Sequence, residues 1–549
     1  MHRTRARRAP GALRCARASR SSGTTRAVGS RRGVTELSIA ARHGRSTRAG
    51  PVHGARLETG IAGLDRILDG GLLPGGLYLL AGCPGSGKTV LSNQVCFELA
   101  RRGAHSLYLT LLTESHARMV QNTSSFAFFD RAAVGASIVY ASAHPALRDR
   151  GLDGLRLLID AEIQRLRPTL VVIDGITAVS EAAASNAEFR HFLGKLRATL
   201  ELHGATALLC MPAPEHDQEA TQTMADGVLV LVERTVGRRS VRELSVAKFR
   251  GSTHLGGPHV FEIGRDGIRA YPRAEAILGR GLVGADASQR RMRFGVARLD
   301  EMLCGGLPSA SSTAIVGAPG SGKTLLGLHF LAAGAARREN GLYLGFYEMP
   351  ERLLGQAERI GIPLRRLREQ GRVGVRWIPP YENLLDPLVA TVLEEVERRR
   401  VRRLFIDGLE GLTMSIAFGA RVPAAINAFA NELRVRGVTT LLSIESPILH
   451  FDAAPFGPES AFVENLILLR YVRRRAQLER LLSIVKVRGS DFDSSAHEFR
   501  IGPAGIEVER SSDSAEAILA DMAAATSTTI SPMDPADGSP AAARRGARR

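Results

Sequence analysis

The sequence predicts an α/β chain of two tandem domains, each a mostly parallel sheet covered by helices. Three observations lead there. At 549 residues the chain exceeds one ordinary core, and its 44 % hydrophobic content can fill two of roughly 200 residues each. The same motifs occur twice, in the same order. Between them, short aliphatic runs alternate with longer amphipathic stretches, as expected of a sheet buried on both faces.

Taken in order, "TGIAGLDRILDGGLLPGG" (59–76) aligns with "FGVARLDEMLCGGLPSA" (294–310), placing Leu64, Asp65, Gly70 and Gly71 on Leu299, Asp300, Gly305 and Gly306 at an offset of 235 residues. "GCPGSGKT" (82–89) returns at that offset as "GAPGSGKT" (317–324). Further on, "LVVIDG" matches "LFIDG", and "AKFRGS" matches "VKVRGS". In the first copy "GGLYLLAG", "SLYLTLL", "LVVID", "TALLC" and "GVLVLV" are expected as buried strands, with "VLSNQVCFELARRG" and "LRLLIDAEIQRLR" as helices. The second copy repeats the strands as "STAIVG", "GLYLGF", "RRLFID", "TTLLSI" and "NLILLRYV". The expected layout is a basic head (1–50), a first domain (51–272), a linker (273–290), a second domain (291–510) and a small-residue polar tail (511–549).

The formal net charge of +18 is concentrated in the head, which holds about two-thirds of the surplus and a single acid, Glu36. Three readings stay open for it: a nucleic-acid arm, a targeting peptide, or sequence upstream of a native start near Val34 or Val52. The rest of the chain is only mildly basic. Five cysteines without C-x-x-C spacing argue for a reducing compartment and against a zinc module. No apolar run reaches membrane-spanning length, so no membrane partner is expected and the expected location is cytoplasmic.

Each G-x-x-x-x-G-K-[ST] loop follows an expected strand and opens an expected helix, the context in which this pattern grips phosphate. Gly82, Gly85, Ser86 and Gly87, and in the second copy Gly317, Gly320, Ser321 and Gly322, are small enough for backbone N–H groups to turn inward around an anion. Lys88 and Lys323 are expected to reach the β- and γ-phosphates of ATP, and Thr89 and Thr324 to hold Mg²⁺. Asp174 and Asp407 each end an aliphatic strand at the sheet's carboxyl edge and are expected to help position the metal.

Hydrolysis needs a carboxylate to orient water, and the strand after the phosphate-loop helix is its natural place. Glu348 is the candidate in the second copy and Glu114 in the first. Glu348 lies five residues after Tyr343 but Glu114 six after Tyr108, a slip that reverses a side chain on a strand unless a bulge absorbs it. For both, a solvated surface glutamate is the competing reading.

These motifs resemble the KaiC-like ATPases of the RecA-like P-loop group over roughly residues 57 to 510, above all in the late "KFRG" and "KVRG" pairs. The resemblance implies homo-hexameric rings with nucleotide between subunits. It further implies that Lys248 and Arg250, and Lys486 and Arg488, reach the neighbouring subunit's nucleotide; a basic strand edge that discourages aggregation is the alternative. ATP hydrolysis, serine/threonine autokinase activity and output through an unidentified regulatory or signalling protein are also implied. The sequence departs from the family's clock protein at "PESAFVENLILLRYV": Ser460 falls near its phosphorylated serine, but Ala461 near its threonine. His254 in the first copy has no counterpart in "KVRGSDFD". Two other functions compete: a RecA/RadA-like DNA-dependent ATPase of recombination or repair, with nucleic acid as partner, and a nucleotide-gated scaffold with little turnover.

Overall fold

The computed structural model describes residues 56–111, 116–212, 223–277, 290–379, 384–415, 419–446, 463–474, 477–513, 515–517 and 519. Glu114 and Ser460 fall outside these residues, as does the whole basic head.

The first copy builds strands β1 (Leu77–Gly82), β2 (Ser106–Thr110), β3 (Ile138–Ser142), β4 (Leu170–Asp174), β5 (Thr206–Met211), β6 (Gly227–Val236), β7 (Arg239–Phe249), β8 (His259–Gly264) and β9 (Gly267–Tyr271). They form one nine-stranded sheet in the order β3-β2-β4-β5-β1-β6-β7-β8-β9. Pairing is parallel from β3 to β6 and antiparallel from β6 to β9. A short antiparallel pair of two-residue strands, β10 (Arg291–Met292) with β11 (Leu307–Pro308), opens the second copy.

The second sheet comprises β12 (Ser312–Gly317), β13 (Asn340–Gly345), β14 (Val373–Trp377), β15 (Val401–Asp407), β16 (Thr439–Glu445), β17 (Asn465–Arg474), β18 (Gln477–Val487), β19 (His497–Gly502) and β20 (Gly505–Val508). Its order, β14-β13-β15-β16-β12-β17-β18-β19-β20, repeats that of the first sheet. The central strands are continuous aliphatic runs because both of their faces are covered. Along β1 alternate residues enter separate cores: Tyr78 and Leu80 pack on one face, Leu77, Leu79 and Ala81 on the other.

The shared "LD" and "GG" residues shape the approach to each sheet. Asp65 accepts the backbone N–H groups of Thr59 and Gly60 at 2.8 and 3.2 Å, and Asp300 accepts those of Phe294 and Gly295 at 2.6 and 3.1 Å. Gly71 and Gly306 have φ of +118° and +119°, and a Cβ there would lie 2.5 Å from Leu57 O or 2.6 Å from Met292 O. Positive φ and close backbone approach together require glycine.

Both sheets lie in one compact unit. Within the stretch expected as a linker, Ala274–Ile277 forms a helical turn whose Ala274 packs into a core of the second copy. The backbone N–H of Ala274 donates to Asp386 at 3.1 Å, and Arg421 pairs with both Glu275 (2.8 Å) and Asp386 (2.9 Å).

Candidate functional site

Each phosphate loop joins the carboxyl end of a central strand to a helix, β1 to Lys88–Arg101 and β12 to Lys323–Ala336. Left-handed glycines make the turn: Gly85 and Gly87 have φ of +80° and +102°, Gly320 and Gly322 +76° and +107°. Lys88 Nζ donates to the carbonyls of Gly82 and Cys83 at 2.6 and 3.0 Å, and Lys323 Nζ to those of Gly317 and Ala318 at 2.8 and 3.0 Å. Ser86 and Ser321, each 1 % exposed, carry buried hydroxyl oxygens with no hydrogen-bond partner among the described residues. Buried hydroxyls normally find a partner, so two orphans at equivalent loop positions fit a cradle completed by an anion.

The strand-end acids face these loops. Asp407 accepts from Thr324 Oγ1 at 2.9 Å, from Tyr343 at 2.9 Å and from Ser443 at 2.7 Å. Asp174 accepts from the Tyr108 hydroxyl at 3.0 Å. Burial first, and then the neighbouring aspartate, pushes both tyrosine hydroxyls up, so each stays a donor to its carboxylate. Thr89 and Asp174 line one cavity of about 400 Å³; Thr324 and Asp407 line another of about 540 Å³. Hydroxyl and carboxylate oxygens are hard donors of the kind magnesium takes, so both pairs fit that ion.

Glu348 lines the second cavity, three residues past β13, accepting from Gln356 Nε2 and lying 3.4 Å from Arg352 Nε. The Lys-x-Arg pairs stand elsewhere. Lys248 is the penultimate residue of β7, and Arg250 and Arg488 fall just past the ends of β7 and β18. Lys248 and Arg250 still converge, donating to Thr223 O at 2.9 and 3.0 Å; Lys486 donates to Val463 O at 3.0 Å. Through Asp226 their backbone is level with Leu77, at the start of β1, whereas the loop begins at its end. At about 3.3 Å per residue the two edges are about 16 Å apart, beyond the reach of an arginine side chain to its own loop.

The sequence reading missed several residues that build the two sites. Tyr108 and Tyr343 served only as counting marks, yet each holds its aspartate. Ser443, Glu410 and Glu445 also line the second cavity. By sheet register Ser443 is equivalent to Cys210, since each stands beside the fourth residue of the central strand. The two strands "TALLCM" and "TTLLSIE" carry that difference in the sequence itself.

Two RecA-like sheets, each carrying a phosphate loop opposite a strand-end aspartate, define a tandem P-loop ATPase. The sequence pattern described as KaiC ATPase matches residues 57–275 and again 292–513. The chain belongs to this family. It is 27 % identical over 478 residues to the circadian clock oscillator protein KaiC of Rippkaea orientalis, covering 84 % of this chain and 90 % of that protein. The protein of the same name from Synechococcus elongatus is 27 % identical over 480 residues (85 % and 91 % covered). The circadian clock protein KaiC3 of Synechocystis is 26 % identical over 483 residues (85 % and 94 % covered). Among the described residues no helix is long and apolar enough to cross a membrane.

Proposed function

We propose that the chain is an ATP-hydrolysing, self-assembling ring protein that binds nucleotide at both phosphate loops and acts through protein partners. The observation that carries this reading is the duplicated cradle: a lysine held by loop carbonyls, an orphan buried serine and a tyrosine-anchored aspartate, all at equivalent positions. In this reading the loop N–H groups and helix N-termini receive the phosphates, and Lys88 and Lys323 exchange their carbonyl partners for β- and γ-phosphate oxygens. Bound Mg²⁺, held by Thr89 with Asp174 and by Thr324 with Asp407, would neutralise charge on those oxygens. Glu348, and Glu114 in the first copy, orient water for attack, and Lys248, Arg250, Lys486 and Arg488 serve a neighbouring subunit's site.

Two of the three relatives named above are clock oscillator proteins, which favours a regulatory role for this chain; Ser460 is the residue to inspect by mass spectrometry for phosphate added during incubation with ATP. The founding test is nucleotide retention and turnover by Lys88→Ala, Lys323→Ala and the double variant, with native mass measured with and without ATP. Each single variant should lose one nucleotide per chain and the double variant both. Turnover surviving the double substitution would refute the site assignment.

A further inference from the structure

The two cavities share loop, lysine, threonine and aspartate, but differ in what faces the lysine. Glu445, the last residue of β16, places Oε1 4.0 Å from Lys323 Nζ. Glu410, three residues beyond Asp407, accepts the backbone N–H of Glu445 through Oε1 at 2.7 Å, while its Oε2 is buried without a hydrogen-bond partner among the described residues. Both carboxylates line the second cavity. In the first copy the equivalent positions are Thr177 and Pro212, which line the first cavity and carry no charge. The chain thus contains its own control.

We propose that Glu445, held by Glu410, biases the second site toward nucleoside diphosphate over triphosphate, relative to the first site. The proposal rests on the reading of the second loop as a nucleotide site.

Lys323 is the cation expected to meet the terminal phosphate, and it is only 7 % exposed, so few waters screen what surrounds it. A diphosphate brings only its β-phosphate to Lys323 and leaves Glu445 its place beside the lysine. A triphosphate brings further negative charge to the lysine, where it must displace Glu445 or sit beside two carboxylates. Displacement is not free, because the Glu445 backbone is tied to Glu410. The Glu445 side chain is 59 % exposed, which limits its repulsion to a fraction of the buried value; a bias of about tenfold is expected. In the first site no carboxylate stands at either position, and the lysine is open to either nucleotide.

The test uses the full chain with Lys88→Ala, so that the second loop alone binds. Fluorescent N-methylanthraniloyl-ADP is displaced with ADP or with the imido analogue of ATP, in Mg²⁺, and the ratio of the two affinities is recorded. Glu445→Gln, isosteric and largely exposed, should shift that ratio toward the ATP analogue by about tenfold, and Glu410→Gln should shift it in the same direction by less. An unchanged ratio in both variants, with binding itself intact, overturns the proposal. Loss of all binding in Lys88→Ala, with binding retained in Lys323→Ala, would instead remove the second loop as a nucleotide site and the proposal with it.

Discussion

Arg403 shows how one residue can divide two copies of a fold. It stands on the third position of β15 with no exposed surface, paired at 2.7 Å with Glu339, itself buried. Its guanidinium donates to the carbonyls of Arg293 (2.6 Å) and Phe330 (2.8 Å) and stacks 4.5 Å from the Phe330 ring. Gly334 makes the room, since a Cβ there would lie 2.4 Å from Arg403 Cδ. In the first copy the equivalent residues are Leu170, Ala104 and Leu99, an apolar filling of the same space. Arg403→Leu leaves the buried Glu339 with Arg290 as its remaining cationic partner, so the single change should cost about 3 kcal/mol, the lower end expected for breaking a buried ion pair, in urea unfolding. The triple change Arg403→Leu, Glu339→Ala, Gly334→Leu restores the first copy's solution and should recover most of that loss. If the triple variant is as unstable as the single one, the two fillings are not interchangeable.

Between the copies, the turn Ala274–Ile277 is clamped by Arg421 to the start of helices Leu385–Arg399 and Val422–Val435. Asp386 has a side chain only 1 % exposed, so Arg421→Ala leaves a buried carboxylate bonded to the Ala274 N–H but without its cation, and should cost about 2–3 kcal/mol near neutral pH. Burial raises the Glu275 carboxyl, but the hydrogen bonds and charge of Arg421 outweigh it and hold it below the ordinary value of 4.5. A depressed carboxyl contributes stability that is complete above the unfolded value and lost as pH falls through the folded one. The gap between parent and Arg421→Ala should therefore be full at about pH 7 and narrow below about pH 4.5 in thermal melts at matched ionic strength. A gap independent of pH would mean that Glu275 takes no part in the clamp. This contact was not legible in the sequence, where residues 273–290 suggested only a connection. The central strands were legible, because burial on both faces leaves "LYLLAG" and the "LVVI" before Asp174 no charged position. Strands β8, β9, β19 and β20 were not picked out: each is short and mixes buried with exposed residues, a weaker signal than a continuous apolar run. The phosphate loops could be read locally, since their chemistry sits in eight consecutive residues. Ser443, Glu410 and Glu445 could not, because crossovers bring them to Lys323 from two other strands.

At the scale of the whole molecule, the placement of the Lys-x-Arg pairs bears on assembly. Arg250 and Arg488 are exposed at the sheet edge opposite their own phosphate loops, so a role in phosphate chemistry requires a second copy. That requirement can be tested by complementation. In a Lys323→Ala background, which silences the second loop, Arg250→Ala keeps its first loop but lacks the trans cation, whereas Lys88→Ala keeps the cation but lacks the loop. Neither should turn over ATP alone, with losses of about 10³-fold or more for the arginine variant. Mixed one to one and allowed to exchange subunits, half the loops are intact and half of those meet an intact arginine, so about a quarter of the first-site turnover should return. Activity that stays at zero in verified mixed rings would place Arg250 outside the reaction and leave it the role of a charged edge that prevents sheet-to-sheet association. Activity of the Arg250→Ala variant by itself, at the parent rate, would do the same without mixing.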